Sequence, residues 1–85
     1  MKVLFFAGAK DVTNSTFAEV PQVQSVPELL EQLVALYPQL SPILPTCMLA
    51  VNLEYVELSG KDADGNEIRL KETDEIALIP PVSGG

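Results

Sequence analysis

The sequence of 85 residues predicts one α+β domain, in which a mixed sheet of four to five strands packs on one main helix. Three observations predict this class. β-rich apolar segments lie near both ends of the chain, one amphipathic helical segment lies between them, and turn signals separate the remaining short apolar runs. We expect residues 1–79 to form the folded domain and residues 80–85 to form an extended, flexible tail.

The first two predicted strands form a hairpin. Residues 2–7, KVLFFA, are apolar on both faces, which is typical of a buried central strand, and Gly8 ends this strand. Residues 15–21, STFAEVP, predict a weaker second strand that stops at its proline. A polar loop around residues 11–15 would join the two strands.

The main helix is predicted by its start signal and by its leucine spacing. Ser25 is a favourable N-cap, and Glu28 three residues later completes a capping box. Pro27 lies in the first turn, where its missing N–H costs nothing, and Pro38 stops the helix near Tyr37. Helical spacing predicts an apolar stripe formed by Leu29, Leu30, Leu33, Val34, Leu36 and Tyr37.

The second half of the chain predicts three more strands. After a proline-rich crossing loop at residues 39–46, residues 47–58, CMLAVNLEYVEL, are β-like. Asp64-Gly65 suits a tight reversal, after which residues 67–70, EIRL, predict a short strand. Residues 75–80, EIALIP, predict the last strand.

One helix covers only one face of such a sheet. Alternation places Ile76 and Leu78 of the last strand on one face and its other apolar residues on the opposite face. Some of Phe5, Phe6, Ala77 and Ile79 are therefore expected to pack either against a partner or against residues 38–46, and the sequence leaves both alternatives open.

Charge and composition exclude several classes of function. The formal net charge is −7, so we expect no binding to nucleic acid or to an anionic membrane. An acidic surface suits a partner with a basic face, although solubility alone also explains it.

The apolar start, MKVLFFAGAK, is short and is followed at once by Asp11, so we expect a strand rather than a signal peptide. Cys47 is the single cysteine, which fits a reducing compartment, and we expect a cytoplasmic location.

The side chains offer little chemistry. The chain has no histidine, so Cys47 has no histidine base and is expected to be a small core residue. Asp62, Asp64 and Glu67 invite a calcium interpretation, but Gly65 is fourth rather than sixth from Asp62, so a solvated hairpin tip is expected. We expect no metal, no bound cofactor and no independent catalytic activity.

The most unusual reactive group is the carboxylate of Gly85, at the end of IPPVSGG. Gly84 and Gly85 have no Cβ atoms and would fit a channel too narrow for side chains. Pro80 and Pro81 restrict the approach, and residues 80–85, if extended, would reach about 20 Å. A carboxylate is inert towards nucleophiles, but its acyl-adenylate, made with ATP, reacts with sulfur or amine nucleophiles.

The order of elements and the two end segments of the chain resemble a known family. The order of elements resembles the ubiquitin-like β-grasp fold, and KVLFFA together with DEIALIPPVSGG resembles the small, sulfur-carrier subunit of molybdopterin synthase. Lys10 lies where this family often carries a basic residue. The connection between Tyr55 and Ile68 is longer and more hydrophilic than the short turn of the family, which leaves the local strand pairing open.

The resemblance implies a function for the chain terminus. A ubiquitin-activating-type adenylyltransferase would use ATP to adenylate Gly85, and a sulfur donor would convert the product into a thiocarboxylate. The tail would enter the large catalytic subunit of a heterotetramer with two copies of each subunit. There the sulfur would pass to cyclic pyranopterin monophosphate, forming molybdopterin for the molybdenum cofactor. Gly84 and Gly85 carry over as the functional residues, and the expected partner-binding residues are Pro80, Pro81, Val82, Ser83 and Phe6.

Two alternatives use the same activated carboxylate. The chain would be a sulfur carrier for thiamine synthesis or tRNA thiolation, or it would be a ubiquitin-like modifier whose acyl group meets a lysine amine. The resemblance of PPVSGG to the molybdopterin family is the feature that separates them.

Overall fold

The computed structural model describes residues 1–62 and 64–80. In this part of the chain the strands are β1 (Lys2–Phe5), β2 (Phe17–Glu19), β3 (Met48–Val51), β4 (Glu54–Val56) and β5 (Ile76–Ile79). The α-helices are α1 (Ala7–Thr13) and α2 (Val26–Leu36), and short 3₁₀ turns follow at Pro38–Leu40 and Leu44–Thr46.

Among the described residues, five strands form one mixed sheet in the order β2-β1-β5-β3-β4. The β1–β5 pair is parallel, and the other neighbouring pairs are antiparallel. The sheet therefore places the last strand at its centre, between β1 and β3. This arrangement confirms the predicted α+β class, the mixed sheet and the strand count.

The core lies between one face of the sheet and α2. Alternating residues of the three central strands point to this face, and Leu29 and Leu33 of α2 complete it with no exposed surface. Phe5 belongs to this core, and its ring meets Tyr37 edge to face with centroids 5.5 Å apart. The core face of the sheet comprises Val3, Phe5, Leu49, Val51, Ile76 and Leu78.

The start and the end of α2 agree with the sequence. The Ser25 hydroxyl accepts a hydrogen bond from the Glu28 backbone N–H at 3.3 Å and donates one to the Glu28 carboxylate at 3.1 Å. The helix ends at Leu36, ahead of Pro38. The predicted cap and the predicted stop are both confirmed.

The first hairpin differs from the prediction because α1 lies inside it. β1 ends at Phe5 rather than at Ala7, and the expected polar loop is largely helical. The helix is held by burial of Ala9 and by the Thr13 hydroxyl, which donates to the Ala9 carbonyl at 2.8 Å. Asn14 ends it in the left-handed conformation, a common helix C-terminal signal.

The third predicted strand is two strands. The chain reverses at Asn52 and Leu53, which both have positive φ, at 53° and 70°. β3 and β4 consequently pair antiparallel, with Ala50 opposite Tyr55. Asn at the first turn position favours positive φ, but Leu at the second gave no such signal.

The predicted strand at residues 67–70 is wrong, apart from an isolated bridge between Lys61 and Glu67. Gly65 does take positive φ in the predicted reversal, at 84°. Beyond it the chain leaves the sheet, because the Ile68 N–H donates to the Gly60 carbonyl and the Leu70 N–H donates to the Gln24 carbonyl. The longer hydrophilic connection is anchored at Gly60, which is buried, whereas residues 61, 62 and 64–67 are exposed.

In residues 1–62 and 64–80, no helix has both the length and the apolar character required to cross a membrane.

Candidate functional site

The outer face of the sheet, opposite α2, is largely apolar. Strand register brings Leu4 beside Ala77, Ala77 beside Ala50, and Ala50 beside Tyr55 across four strands. We call this surface the outer sheet face. It consists of Leu4, Phe6, Met48, Ala50, Leu53, Tyr55, Ala77 and Ile79.

Several large side chains on the outer sheet face are open to solvent. Phe6 and Met48 are each 46% exposed, and Tyr55 is 67% exposed. A shallow depression of about 220 Å³ lies among them, lined by Leu4, Phe6, Ala50, Leu53, Tyr55, Glu75, Ala77 and Ile79. A contiguous apolar surface of this kind on a small domain is typical of a binding site for another protein.

The structure separates the two adjacent phenylalanines. Phe5 lies in the core with 3% of its surface exposed, whereas Phe6 lies on the outer sheet face. The Phe6 N–H donates to the Leu78 carbonyl at 3.3 Å, so its position is tied to β5. Phe6, an expected partner-binding residue, therefore lies on the outer sheet face, and its contact with a partner stays a prediction.

The outer sheet face adjoins the carboxyl end of β5. Ile79 pairs with Met48, and Phe6 lies beside Leu78 at the same end of the sheet. Pro80 follows β5 and is buried, and a Cβ atom added to Gly8 would lie 3.9 Å from the Pro80 ring. The first residue of the predicted tail thus packs against α1, and its expected contact with a partner stays a prediction.

The remaining predicted site residues lie outside the described residues. They are Pro81, Val82, Ser83, Gly84 and Gly85. Tyr55, Met48 and Leu53, which sequence reasoning missed, lie on the outer sheet face. Recognising the Asn52–Leu53 reversal would have fixed the register of Tyr55 and placed it there.

The described side chains provide no evident catalytic group. The Cys47 thiol is buried and donates to the Ile43 carbonyl at 3.3 Å, and burial raises its pKa, which disfavours the nucleophilic thiolate. Across residues 1–62 and 64–80, no three His, Cys, Asp or Glu side chains are grouped to hold a metal ion. The Asp62 carboxylate accepts the backbone N–H groups of Asp64 and Asn66, both at 2.9 Å, as in an ordinary polar turn.

A mixed sheet folded over one main helix, with an apolar outer face beside its last strand, defines a ubiquitin-like β-grasp domain. Within that class, the chain belongs to the ThiS family, whose sequence profile matches residues 3–85. The family resemblance recognised in the sequence is confirmed.

Known relatives and solved structures support the same grouping. A Chlamydomonas reinhardtii protein named molybdopterin synthase sulfur carrier subunit is 39% identical, over 100% of this chain and 98% of that protein. The crystal structure of SAMP1, the small archaeal modifier protein 1 of Haloferax volcanii, is similar with a TM-score of 0.73 and 29% identity, covering 99% of this chain and 97% of that one.

A third similar structure comes from a complex. It is a chain of the protein–protein complex of subunits 1 and 2 of molybdopterin-converting factor from Helicobacter pylori. The TM-score is 0.65 and the identity 25%, with 99% of this chain and 96% of that chain covered.

Proposed function

We propose that this protein is the sulfur-carrier subunit of a molybdopterin synthase and that the carboxylate of Gly85 carries the sulfur. The observation that carries the proposal is similarity over the whole chain to a protein named molybdopterin synthase sulfur carrier subunit. The PPVSGG sequence and the apolar outer sheet face beside β5 support it.

The proposed chemistry begins with activation of the terminal carboxylate. A carboxylate oxygen of Gly85 attacks the α-phosphate of ATP on an adenylyltransferase, forming an acyl-adenylate and releasing pyrophosphate. A donor at the oxidation level of sulfide then forms the acyl–sulfur bond and displaces AMP. The product is a thiocarboxylate, in which one terminal oxygen has been replaced by sulfur.

Transfer of the sulfur takes place on the large subunit. The thiocarboxylate sulfur attacks a carbon of cyclic pyranopterin monophosphate and displaces an oxygen substituent, so a C–S bond forms as a C–O bond breaks. Water then cleaves the acyl–sulfur bond, which leaves the sulfur on the pterin and returns the Gly85 carboxylate. A dithiolene contains two sulfur atoms, so each molybdopterin formed consumes two loaded carriers. The carrier supplies the acyl group, and the partners supply the catalytic side chains, which agrees with the scarcity of reactive groups among the described residues.

The outer sheet face is the proposed docking surface for the large subunit. Phe6 and Ile79 lie at the end of the sheet from which β5 continues to Pro80. A partner bound there would hold the root of the tail while Pro81, Val82 and Ser83 enter its channel. The Helicobacter pylori structure, described as a complex of two subunits of molybdopterin-converting factor, provides a precedent for such a pair.

A second candidate function is covalent modification of other proteins. The observation that favours it is the similarity to the modifier protein SAMP1. The same acyl-adenylate would then react with a lysine amine, releasing AMP and forming an isopeptide bond.

Intact-mass spectrometry tests the proposal directly. We expect co-expression with the adenylyltransferase and a sulfur source to increase the mass of the protein by the difference between sulfur and oxygen. Deletion of Gly85 is expected to abolish this change while the thermal unfolding transition remains cooperative. Cys47→Ala is the matched control: it is expected to load normally, because the sulfur is carried on Gly85 and not on the thiol. A persulfide on Cys47 would instead add the mass of a whole sulfur atom to the wild-type protein.

Three outcomes would count against the proposal. One is an unchanged mass under conditions that convert a known carrier, and another is loading of the protein that lacks Gly85. The third is the appearance of lysine-linked conjugates in place of the thiocarboxylate, which would favour the modifier function. The mass of the isolated protein also establishes whether Gly85 is the terminal residue.

A further inference from the structure

Leu53 occupies an unfavourable position for a leucine. It lies at the tip of the β3–β4 hairpin with 90% of its surface exposed, more than any other large apolar side chain among the described residues. Its φ is 70°, in the left-handed region where a bulky side chain is disfavoured. Glycine is the common residue at the second position of such a turn, so leucine has both a conformational cost and a hydration cost here.

The turn is held in this conformation by contacts to a distant segment. The Asn52 side-chain amide donates to the Asp74 carboxylate at 2.9 Å, and its carbonyl oxygen accepts from the Glu75 N–H at 2.9 Å. The Asn52 N–H also donates to the Glu75 carbonyl, at 2.8 Å. A strained residue persists when the surrounding structure determines its conformation in this way, and such residues cluster at functional sites.

Leu53 extends the outer sheet face away from the tail. It lines the same depression as Phe6 and Ile79, but at the opposite end of β5. Val51, two residues before Leu53, pairs with Ile76, whereas Met48 pairs with Ile79. The two ends of the face are thus separated by roughly 10 Å along the strand.

We propose that Leu53 is a preorganised anchor that inserts into an apolar pocket of the large subunit. This inference rests on the proposed function and adds a second attachment point to it. Glu75 lines the same depression as Leu53 and is exposed, so the matching pocket carries a basic side chain at its rim. Attachment at both ends of β5 fixes the orientation of the domain, and hence the position from which the tail enters the active site.

Preorganisation distinguishes Leu53 from an ordinary exposed leucine. Its backbone is fixed before binding, so little backbone conformational freedom is lost when the side chain is buried. Leu36 provides the contrast: it is also exposed, at 50%, but it lies at the end of α2, outside the outer sheet face.

The test compares the affinities of variants for the purified large subunit by isothermal titration calorimetry. Leu53→Asn keeps a residue that tolerates positive φ and removes the apolar side chain. We expect it to weaken binding about tenfold or more while leaving the midpoint of thermal unfolding no lower than that of the wild type. Leu53→Met is expected to retain the affinity, because it preserves an apolar side chain of similar volume.

Two further variants complete the design. Leu36→Ala removes an exposed leucine elsewhere and is expected to leave the affinity unchanged. Phe6→Ala is expected to weaken binding whether or not Leu53 is an anchor, so it verifies that the outer sheet face is engaged.

The outcomes separate failure of this inference from failure of the proposed function. Wild-type affinity of Leu53→Asn, together with weakened binding by Phe6→Ala, would overturn the anchor role alone. If Leu53→Asn bound the large subunit with wild-type affinity but bound the adenylyltransferase more weakly, Leu53 would be an anchor for the adenylyltransferase, and the large subunit would be the wrong partner. Absence of any binding between the wild-type protein and the large subunit would overturn both the proposed function and the anchor.

Discussion

Gly60 is the residue at which the segment spanning residues 57–70 turns back against α2, and replacing it with alanine tests how firmly that segment is packed. Gly60 is buried and has φ of 85°. Its N–H donates to the Glu57 carbonyl at 2.9 Å, and its carbonyl accepts from the Ile68 N–H at 2.8 Å. The backbone at Gly60 is therefore fixed on both sides.

The expected cost of Gly60→Ala has two parts. Positive φ costs an alanine about 1–2 kcal/mol. The added Cβ atom would also lie 2.9 Å from Cδ of Pro27 and 3.2 Å from Cβ of Val26, which are stiff parts of the first turn of α2. Relief of such overpacking costs about 1–3 kcal/mol, so the total destabilisation is about 2–5 kcal/mol.

Gly65→Ala is the matched control. Gly65 has nearly the same φ, 84°, but an added Cβ atom would meet nothing within 4 Å. It is expected to cost only the conformational part, about 1–2 kcal/mol. The difference between the two variants isolates the contact between Gly60 and α2.

Urea unfolding followed by circular dichroism measures both free energies of unfolding. For a domain of this size, each kcal/mol lowers the midpoint of thermal unfolding by about 4–8 °C, which provides a second measurement. Equal destabilisation by the two variants would refute the reasoning, because it would mean that Gly60 is not packed against Pro27 and Val26.

Two further predictions concern the core and the hydrogen bond between Asn52 of the β3–β4 hairpin and Asp74. Leu33→Ala is expected to lower the free energy of unfolding by about 2–5 kcal/mol, because Leu33 has no exposed surface, whereas Leu36→Ala is expected to change it by less than about 0.5 kcal/mol. Hydrogen bonds from the Asn52 amide and from the Lys71 backbone N–H lower the pKa of Asp74. The ionised carboxylate therefore stabilises the fold above its unfolded-state pKa of about 4, and this contribution is lost as the pH falls through the lower folded-state pKa. Asp74→Asn is expected to reduce the loss of stability on acidification, measured by urea unfolding between neutral and acidic pH.

Each of these two predictions has a clear contrary result. Similar destabilisation by Leu33→Ala and Leu36→Ala would contradict the placement of the core between α2 and the sheet. An unchanged pH dependence of the free energy of unfolding in Asp74→Asn would show that the Asp74 carboxylate does not stabilise the fold through its hydrogen bond with Asn52.

The elements predicted correctly are those whose signals are local. The Ser25 cap, the leucine spacing and Pro38 together define α2 within one continuous segment. The alternation in β5 likewise put Ile76 and Leu78 together on one face, which the structure shows to be the core face, because successive side chains of a strand point to opposite faces.

The elements that sequence reasoning missed depend on contacts between distant residues. α1 has only seven residues and includes Gly8, so its intrinsic helix propensity is weak, and burial of Ala9 stabilises it. The Asn52–Leu53 reversal depends on hydrogen bonds to residues 22 and 23 positions away. No local pattern shows such bonds.

The candidate site divides in the same way. Phe6 was predicted because an apolar first strand has more hydrophobic surface than one helix covers, although the sequence left open which phenylalanine faced outward. Tyr55 and Leu53 were missed because their place on the face depends on the register set by the reversal. Register errors of this kind change the face of every residue that follows in the strand.

The central position of β5 explains how a domain with so little chemistry of its own could serve as a carrier. This strand pairs with β1 on one side and with β3 on the other, it contributes Ile76 and Leu78 to the core, and it presents Ala77 and Ile79 on the outer sheet face. Opening a strand that is paired on both sides and buried in the core requires disruption of most of the fold, so it opens near the global free energy of unfolding. A partner bound to the outer sheet face therefore contacts the same rigid strand that leads to Pro80. Its binding fixes the position of the start of the proposed tail, because no hinge lies between this strand and Pro80.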